Sequence, residues 1–347
     1  MGGAVSWFDA DPSVPSGIYA RLGTVPEYPA TADSVLDWAI TSEPARLRAA
    51  EIAAQSGLPV ESMEKVWRAA GLSWPDPSTP SFSDSDLTLF TSFALAREIF
   101  GEEAPLHFTR AMGVAMARVG HAAVSMFLVT TAEELRGRPD AEQRGAYELA
   151  VASFDTLPPV MERLFRLHAL RAVERWREQR TTGERYDVQS LAVGFVDLVG
   201  FTEQTREFPP ARLADLIVRF EADAYDAVTA SGGEVIKLIG DEVMFVADSA
   251  DAASLVALAL HDTYAGGEVT PRGGIAFGSV LARGGDFYGP IVNVASRLTG
   301  LAVPGEVLVT TEVRDAATSE RLRFDPAGRR MLKGFDDPLE TFALNHR

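Results

Sequence analysis

The spacing of hydrophobic positions changes near residue 187, and the change divides the chain into two parts. Between about residues 34 and 180, apolar side chains recur every three or four positions, which predicts amphipathic helices. Beyond residue 187, short apolar runs separated by glycine-containing turns predict strands that alternate with helices. We therefore expect an all-α domain over residues 1–182, with an N-terminal arm and a linker helix, and an α+β domain over residues 187–347.

Prolines, glycines and capping residues predict where the helices of the first part begin and end. Pro44 opens a helix that Ser56–Pro59 interrupt, and Glu61–Ala70 form a second helix that is closed by Gly71. A serine or an aspartate at positions 83–84 caps the next helix. Longer helices are predicted over about 105–135, 141–154 and 160–179.

The second part alternates between the two periodicities in an order that predicts its topology. The predicted elements are a strand over 190–197, a helix from 209 that ends before Gly232, a hairpin over 235–246, a helix over 252–260, a strand over 272–282, a helix over 291–301, a strand over 307–310 and a final hairpin over 331–344. The order βαββαβ is that of a ferredoxin-like α+β layer, here with additions at the C-terminus.

Composition and charge narrow the range of functions. A net charge of −17 argues against a protein that binds nucleic acid by neutralising its phosphates. The chain contains no cysteine, which excludes disulfide bonds and thiolate chemistry. The best candidate for a membrane span, Ala111–Ala132, contains Arg118 and His121, so a buried helix is favoured over a span. The N-terminus lacks the pattern of a signal peptide, and we expect a cytoplasmic protein.

Two aspartates occupy positions that suit metal ligands. Asp197 ends an apolar strand just before the turn at Gly200, and Asp241 lies in the turn of the predicted hairpin. In the predicted topology the strand and the hairpin lie side by side, so the two carboxylates can be neighbours. Carboxylates are hard ligands for Mg²⁺ or Mn²⁺, and two such ions would suit phosphoryl transfer. The alternative is a pair of ordinary turn residues, and we favour the metal site over it.

Lys237 stands in an otherwise apolar strand, where we expect it to share a face with Val235 and Ile239. Because an unpaired buried ammonium is costly, the lysine either extends into water or donates a hydrogen bond to a ligand. Asn293 and Arg297 are four residues apart and lie on one face of a predicted helix. They either present an amide and a guanidinium to one anionic group or form a solvated polar face. No Walker motif is present.

Three segments together resemble the signature segments of class III adenylyl cyclases. They are GFVDLVGFT, IKLIGDEVMFV and GDFYGPIVNVASRL, which occur in this order between about Val188 and the C-terminus. The resemblance implies a ferredoxin-like class III cyclase catalytic domain that converts ATP to 3′,5′-cyclic AMP and pyrophosphate. It also implies a dimer whose active sites lie at the interface between two such domains.

The resemblance assigns roles to individual residues. Asp197 and Asp241 resemble the aspartates that bind two divalent cations, Mg²⁺ or Mn²⁺. Lys237 resembles the residue that donates to a ring nitrogen of adenine, and Asp286 the one that accepts from its amino group. The metal ligands would come from one subunit and the remaining groups from the other. Because one chain carries both sets, the resemblance implies a homodimer with two complete sites.

The remaining assignments concern the ribose and the phosphates. Asn293 resembles the residue that orients the ribose, and Arg297 the one that stabilises the pentacovalent phosphorus. Many members of the family carry an arginine at the position that is occupied here by Ser279. Either Arg283, four residues later, or Lys333, which resembles a late phosphate-binding lysine, would then supply the positive charge that offsets the phosphates.

The first part resembles, more loosely, the helical regulatory regions that precede some bacterial cyclase domains. Its Ala50–Leu72 segment has the outline of a helix–turn–helix. Because the chain carries an excess of negative charge, we interpret this similarity as structural rather than as a sign of DNA binding. Histidines at 107, 121 and 168 allow a proton-sensing switch as a hypothesis, and an apolar helical bundle would also suit a lipid. Two alternatives to an adenylyl cyclase stay open: a cyclase of another nucleotide, and a silent nucleotide-binding signalling protein.

Overall fold

The computed structural model describes residues 43–127, 156–180, 188–200 and 208–347. The predicted N-terminal arm, the helix over 141–154 and the turn after Gly200 fall outside these residues. The chain forms two compact units, Met1–Ala172 and Val173–Arg347. The predicted division at residues 182 and 187 stays a prediction.

The first unit is helical, as the hydrophobic spacing predicts. Its described helices are α1 (Ala49–Ser56), α2 (Val60–Ala69), α3 (Asp84–Phe100), α4 (Glu103–Phe127) and α5 (Leu157–Arg180), the last of which continues into the second unit. The largest fully buried side chains described in this unit belong to one hydrophobic cluster and are those of Phe82, Phe90, Ile52, Leu58 and Met63. None of the described helices is long and apolar enough to cross a membrane.

Local chemistry explains several of the helix ends. Ser83 caps α3: its hydroxyl accepts from the backbone N–H of Asp86, whose carboxylate accepts from the backbone N–H of Ser83. Gly57, with φ of +72°, ends α1 in the left-handed conformation. The first helix begins at Ala49 rather than at Pro44, because Leu47 forms an isolated bridge with Phe82 instead.

The three histidines of this part of the chain, at positions 107, 121 and 168, have exposed side chains in α4 and α5. A proton-sensing switch built on these histidines would therefore use exposed side chains. The switch stays a prediction.

The second unit is a mixed sheet flanked by helices. Its elements are β1 (Val188–Val199), α6 (Pro210–Ala230), β2 (Glu234–Ile239), β3 (Glu242–Ala247), α7 (Ala250–Tyr264), β4 (Thr270–Arg283), β5 (Asp286–Tyr288), α8 (Pro290–Leu301), β6 (Val307–Thr310), α9 (Thr311–Ala316), β7 (Leu322–Arg330) and β8 (Leu339–His346). The strands are ordered β2-β3-β1-β4-β6-β8-β7, with β5 paired to β4.

The first four strands confirm the ferredoxin-like α+β layer. Strand β1 lies between β3 and β4 and is antiparallel to both, and the only parallel pair among the described strands is β4 with β6. The two faces of the sheet carry separate hydrophobic clusters, one packed against α6 and α7 and the other against α8. Side chains of successive residues in a strand point to opposite faces of the sheet. Neighbouring residues in a strand therefore pack against different helices.

Helix α8 packs very closely on the sheet, and a glycine permits it. A Cβ on Gly274 in β4 would collide with the backbone of Ala295 and Thr299 in α8. Gly274 thus fixes the distance of α8 from the strands, and with it the position of the polar residues that α8 carries.

The predicted final hairpin was placed too far along the chain. Its strands are β7 and β8, and residues 331–338 form the loop between them rather than the first strand. Gly334, with φ of +81°, and the Asp337-Pro338 pair are turn formers, which explains why the strand ends at Arg330.

Candidate active site

Three charged residues form a row across neighbouring strands. Asp197 in β1 is paired in register with Glu242 in β3 and with Arg272 in β4. Arg272 donates to the Asp197 carboxylate through Nε at 2.8 Å and Nη2 at 2.7 Å, and both bonds reach Oδ2. The Asp197 side chain is only 17% exposed, so this contact compensates a largely buried charge. Sequence reasoning missed Arg272, because only the strand register places it beside Asp197.

Asp241 lies next to this row. The backbone N–H of Leu198 donates to the carbonyl of Asp241 at 3.2 Å, which holds the β2–β3 turn against β1. Asp197 and Asp241, predicted to be neighbours, line one cavity of about 530 Å³. The other described residues that line it are Leu198, Val199, Gly200, Ile239, Glu242 and Arg272.

Two carboxyl groups of this cavity, those of Asp241 and Glu242, lie where the protein raises their pKa and so opposes their charged forms. Burial raises the pKa of Asp241, and the nearby Asp197 carboxylate adds to the effect. Burial, followed by the charges of Asp197 and Asp241, raises the pKa of Glu242 to about 7, while Arg272 acts in the opposite direction. The raised pKa values of Asp241 and Glu242 fit a cavity that takes a cation, because a bound cation would favour the charged forms of these two groups.

The donor chemistry also fits divalent cations. Asp197 and Asp241 offer hard oxygen ligands of the type that Mg²⁺ and Mn²⁺ prefer. Within the described residues, no three His, Cys, Asp or Glu side chains are arranged to hold a metal ion by themselves.

Glu242→Gln is expected to raise the melting temperature at pH 8 in EDTA by a few degrees, and to leave it unchanged near pH 4. The folded-state pKa of about 7 lies above the ordinary 4.5, so the protonated form stabilises the fold at low pH. That stability is lost as the pH rises through 7, and it amounts to about 1–2 kcal/mol after allowance for solvent screening. The exposed Glu312→Gln is the control, and equal melting temperatures of the two variants at pH 8 would contradict the prediction.

Lys237 and Asp286 form a second pair. Nζ of Lys237 lies 2.7 Å from Oδ2 of Asp286, and the two side chains are 30% and 29% exposed. The expectation that Lys237 shares a strand face with Val235 is wrong, because a bulge between the two residues shifts the register. Lys237 instead lies on the face that carries α8, while Val235 packs against the opposite core cluster. The bulge directs the ammonium toward β5.

Helix α8 carries Asn293 and Arg297 on the same side of the sheet. Asn293 is exposed, and Arg297 is half-buried. The guanidinium of Arg297 lies over the ring of Phe335, with Cζ at 5.4 Å from the ring centroid. Lys333 is exposed in the adjoining turn.

The last two residues of interest lie on β4. Arg283 is exposed at the end of the strand and is paired in register with Asp286, and Ser279 is exposed opposite Ser190. The described contacts therefore join the predicted site residues into separate groups: the aspartates in their cavity, the lysine–aspartate pair, and Arg297 with the turn that follows Leu332.

Comparisons with known proteins identify the family. Residues 184–346 match the family model described as "Adenylate and Guanylate cyclase catalytic domain". An adenylate cyclase of Streptomyces coelicolor is 32% identical, over 85% of this chain and 79% of that protein. An adenylate cyclase of Glutamicibacter nicotianae is 32% identical, over 80% of this chain and 72% of that protein. An uncharacterised protein of Mycobacterium tuberculosis is 30% identical, over 90% of this chain and 82% of that protein. The chain therefore belongs to the class III nucleotide cyclase family, with the catalytic domain in its C-terminal half.

Proposed function

We propose that this cyclase is an adenylate cyclase that converts ATP to 3′,5′-cyclic AMP and pyrophosphate. The observation that carries the proposal is the Lys237–Asp286 ion pair, with 2.7 Å between Nζ and Oδ2. Adenine offers an acceptor, N1, beside a donor, the 6-amino group, and the pair presents a matching donor and acceptor. Guanine offers a donor at N1 and an acceptor at O6, which reverses the pattern.

The catalytic residues have the chemistry that this reaction requires. The ribose 3′-oxygen bonds to the α-phosphorus, the bond from that phosphorus to the pyrophosphate oxygen breaks, and the hydroxyl proton is released. Asn293 would orient the ribose, and Arg297 would offset the charge that develops on the phosphoryl oxygens. Lys333 and Arg283 would bind the remaining phosphate charge.

Asp197 and Asp241 would hold two divalent cations, Mg²⁺ or Mn²⁺. When bound, such ions lower the pKa of the attacking hydroxyl and neutralise phosphate charge. Arg272 holds the proposed metal ligand Asp197 in place, because its two hydrogen bonds fix the orientation of the Asp197 carboxylate. The fixed orientation leaves less side-chain entropy to be lost when the site is filled.

A homodimer would complete the site. The residues that line the aspartate cavity include neither the Lys237–Asp286 pair nor the polar residues of α8. This separation supports active sites built from two chains, with metal ligands from one and base and phosphate ligands from the other. Because the chain carries both groups, two copies would form two equivalent sites.

Regulation by the helical part is proposed to act through α5. Arg175, near the end of α5, donates to the Glu234 carboxylate at 2.9 Å and lies 3.5 Å from that of Asp248. Glu234 begins β2 and Asp248 follows β3, so the Arg175 guanidinium contacts both strands of the hairpin at its open end, within the second unit. The same hairpin carries Lys237 and Asp241, so a movement of α5 would reach both groups.

Arg175→Ala is expected to lower kcat of the full-length protein about three- to tenfold, since the hairpin loses its anchor. The Arg175 side chain is 21% exposed, while Glu234 and Asp248 are 47% and 60% exposed, so the expected loss comes from freeing the hairpin rather than from the energy of a buried ion pair. Arg177→Ala, an exposed arginine on the same helix, is the control. The same loss in both variants would show that α5 acts through its overall charge rather than through this contact.

The proposed activity is tested by measuring cyclic nucleotides formed by the purified full-length protein. ATP and GTP are supplied separately, each with Mg²⁺ and with Mn²⁺, and Asp241→Ala is the control. Cyclic AMP from ATP that is absent with the variant supports the proposal. Cyclic GMP as the main product favours the cyclase of another nucleotide, and no product under any condition favours the silent signalling protein.

A further inference from the structure

The segment Leu332–Phe335 forms a tight turn that is held at both ends. The backbone N–H of Phe335 donates to the carbonyl of Leu332 at 3.1 Å, and Gly334 has φ of +81°, as at the third position of a type II turn. Leu332 is buried and Phe335 packs against the same core cluster, on the face covered by α8. The turn is therefore fixed beside α8, with Lys333 exposed at its tip.

This turn borders the guanidinium of Arg297 in two places. Cζ of Arg297 lies 5.4 Å from the centroid of the Phe335 ring, within the range of a cation–π interaction. A Cβ placed on Gly334 would lie 3.6 Å from Nη1 of Arg297, so the backbone of the turn is also adjacent. A contact through the face of a ring leaves the guanidinium N–H groups available to an anion.

We propose that Phe335 is a positioning residue, which holds the guanidinium of Arg297 in the orientation needed to meet the reacting phosphate. This inference rests on the proposed function, because Arg297 has its role only in that reaction. A free arginine side chain has many rotamers, and fixing one of them costs conformational entropy. The ring and the turn fix it in advance, so the guanidinium is ready when charge develops on the phosphoryl oxygens.

The test compares Phe335→Leu with Phe335→Tyr and Phe335→Trp in the full-length protein. Leucine keeps an apolar group but removes the aromatic face, and kcat with ATP should fall about three- to tenfold with KM changed less than twofold. Tyrosine and tryptophan keep an aromatic face at this position, so kcat of Phe335→Tyr and Phe335→Trp should stay close to that of the wild type. Phe324→Leu is the matched control, since Phe324 is partly buried against the opposite core cluster.

Two further measurements separate positioning from a general loss of packing. In an Arg297→Ala background, Phe335→Leu should change kcat less than twofold, because its effect passes through the guanidinium. The side-chain Nε–Hε resonance of Arg297, identified by its absence from Arg297→Ala, should move downfield in Phe335→Leu as the ring current is lost.

The possible outcomes distinguish the two proposals. An active wild type whose kcat is unchanged by Phe335→Leu overturns the positioning role and leaves the proposed function intact. Equal losses with Phe335→Leu and Phe324→Leu also overturn it, since they would report packing. A wild-type protein that forms no cyclic nucleotide overturns the proposed function and the positioning role together, while the Arg297 resonance still reports whether the contact exists.

Discussion

Replacing Asp241 by asparagine is expected to reduce the formation of cyclic AMP at least a thousandfold. Asparagine has nearly the same size as aspartate, so the turn that the Leu198 N–H holds against β1 should persist. The substitution removes the negative charge, and a neutral amide is a much weaker ligand for Mg²⁺ or Mn²⁺ than a carboxylate. Losing a metal that both activates the hydroxyl and offsets phosphate charge removes several kcal/mol of transition-state stabilisation.

The same variant is expected to be at least as stable as the wild type in the absence of metal. Burial raises the pKa of Asp241, so the folded state opposes its ionised form. The stability associated with the protonated form is present at low pH and is lost as the pH rises through the raised pKa. At pH 8 in EDTA, asparagine stays neutral and so avoids this loss of stability. The melting temperature of Asp241→Asn should therefore not fall below that of the wild type.

Metal-dependent melting completes this prediction. Mn²⁺ should raise the melting temperature of the wild type, because a ligand that binds only the folded state stabilises it, and should do so far less in Asp241→Asn. Asp226→Asn, an exposed aspartate of α6, is the control and should behave like the wild type in both assays. An active Asp241→Asn, or an equal response of both proteins to Mn²⁺, would remove Asp241 from the metal site.

The fold and the neighbourhood of the two aspartates were predictable because both follow from local patterns. An apolar strand that ends at Asp197, and a hairpin whose turn holds Asp241, are encoded by residues close in sequence. Once the order βαββαβ is recognised, the topology places β3 beside β1, and the two acids meet.

The features that sequence reasoning missed depend on exact strand register. Arg272 is 75 residues from Asp197, and the hydrogen bond between them exists because β1 and β4 pair at those two positions. The side-chain period of a strand is two, so a bulge of one residue reverses every face beyond it. Such a bulge separates Val235 from Lys237, and the regular alternation of the sequence contains no sign of it.

Reversing the Lys237–Asp286 pair, through Lys237→Glu and Asp286→Lys together, is expected to reverse the base preference. The exchange keeps an ion pair at the same two positions, so the contact between β2 and β5 should survive. A carboxylate at position 237 would accept from N1–H of guanine, and an ammonium at position 286 would donate to O6. With adenine bound, the carboxylate at position 237 would face N1, which is also an acceptor. The ammonium at position 286 would face the 6-amino group, which is also a donor.

The expected size of the effect follows from unpaired polar groups. A site built to form hydrogen bonds with one ligand rejects a mismatched ligand strongly, because its own polar groups are left without partners. The kcat/KM for ATP should therefore fall at least a hundredfold, and the ratio of kcat/KM for GTP to that for ATP should rise at least a hundredfold. Both values come from product formation measured under identical metal conditions.

A second charge reversal controls for the cost of exchanging any ion pair. Arg212 and Glu268 form an exposed pair in the same unit, with 2.7 Å between Nη2 and Oε1. Arg212→Glu together with Glu268→Arg should leave kcat/KM for both nucleotides within about twofold of the wild type, since exposed pairs contribute little. If the reversed Lys237–Asp286 pair also kept its preference for ATP, the base would be recognised by other groups, and the assignment of the adenine-binding residues would be wrong.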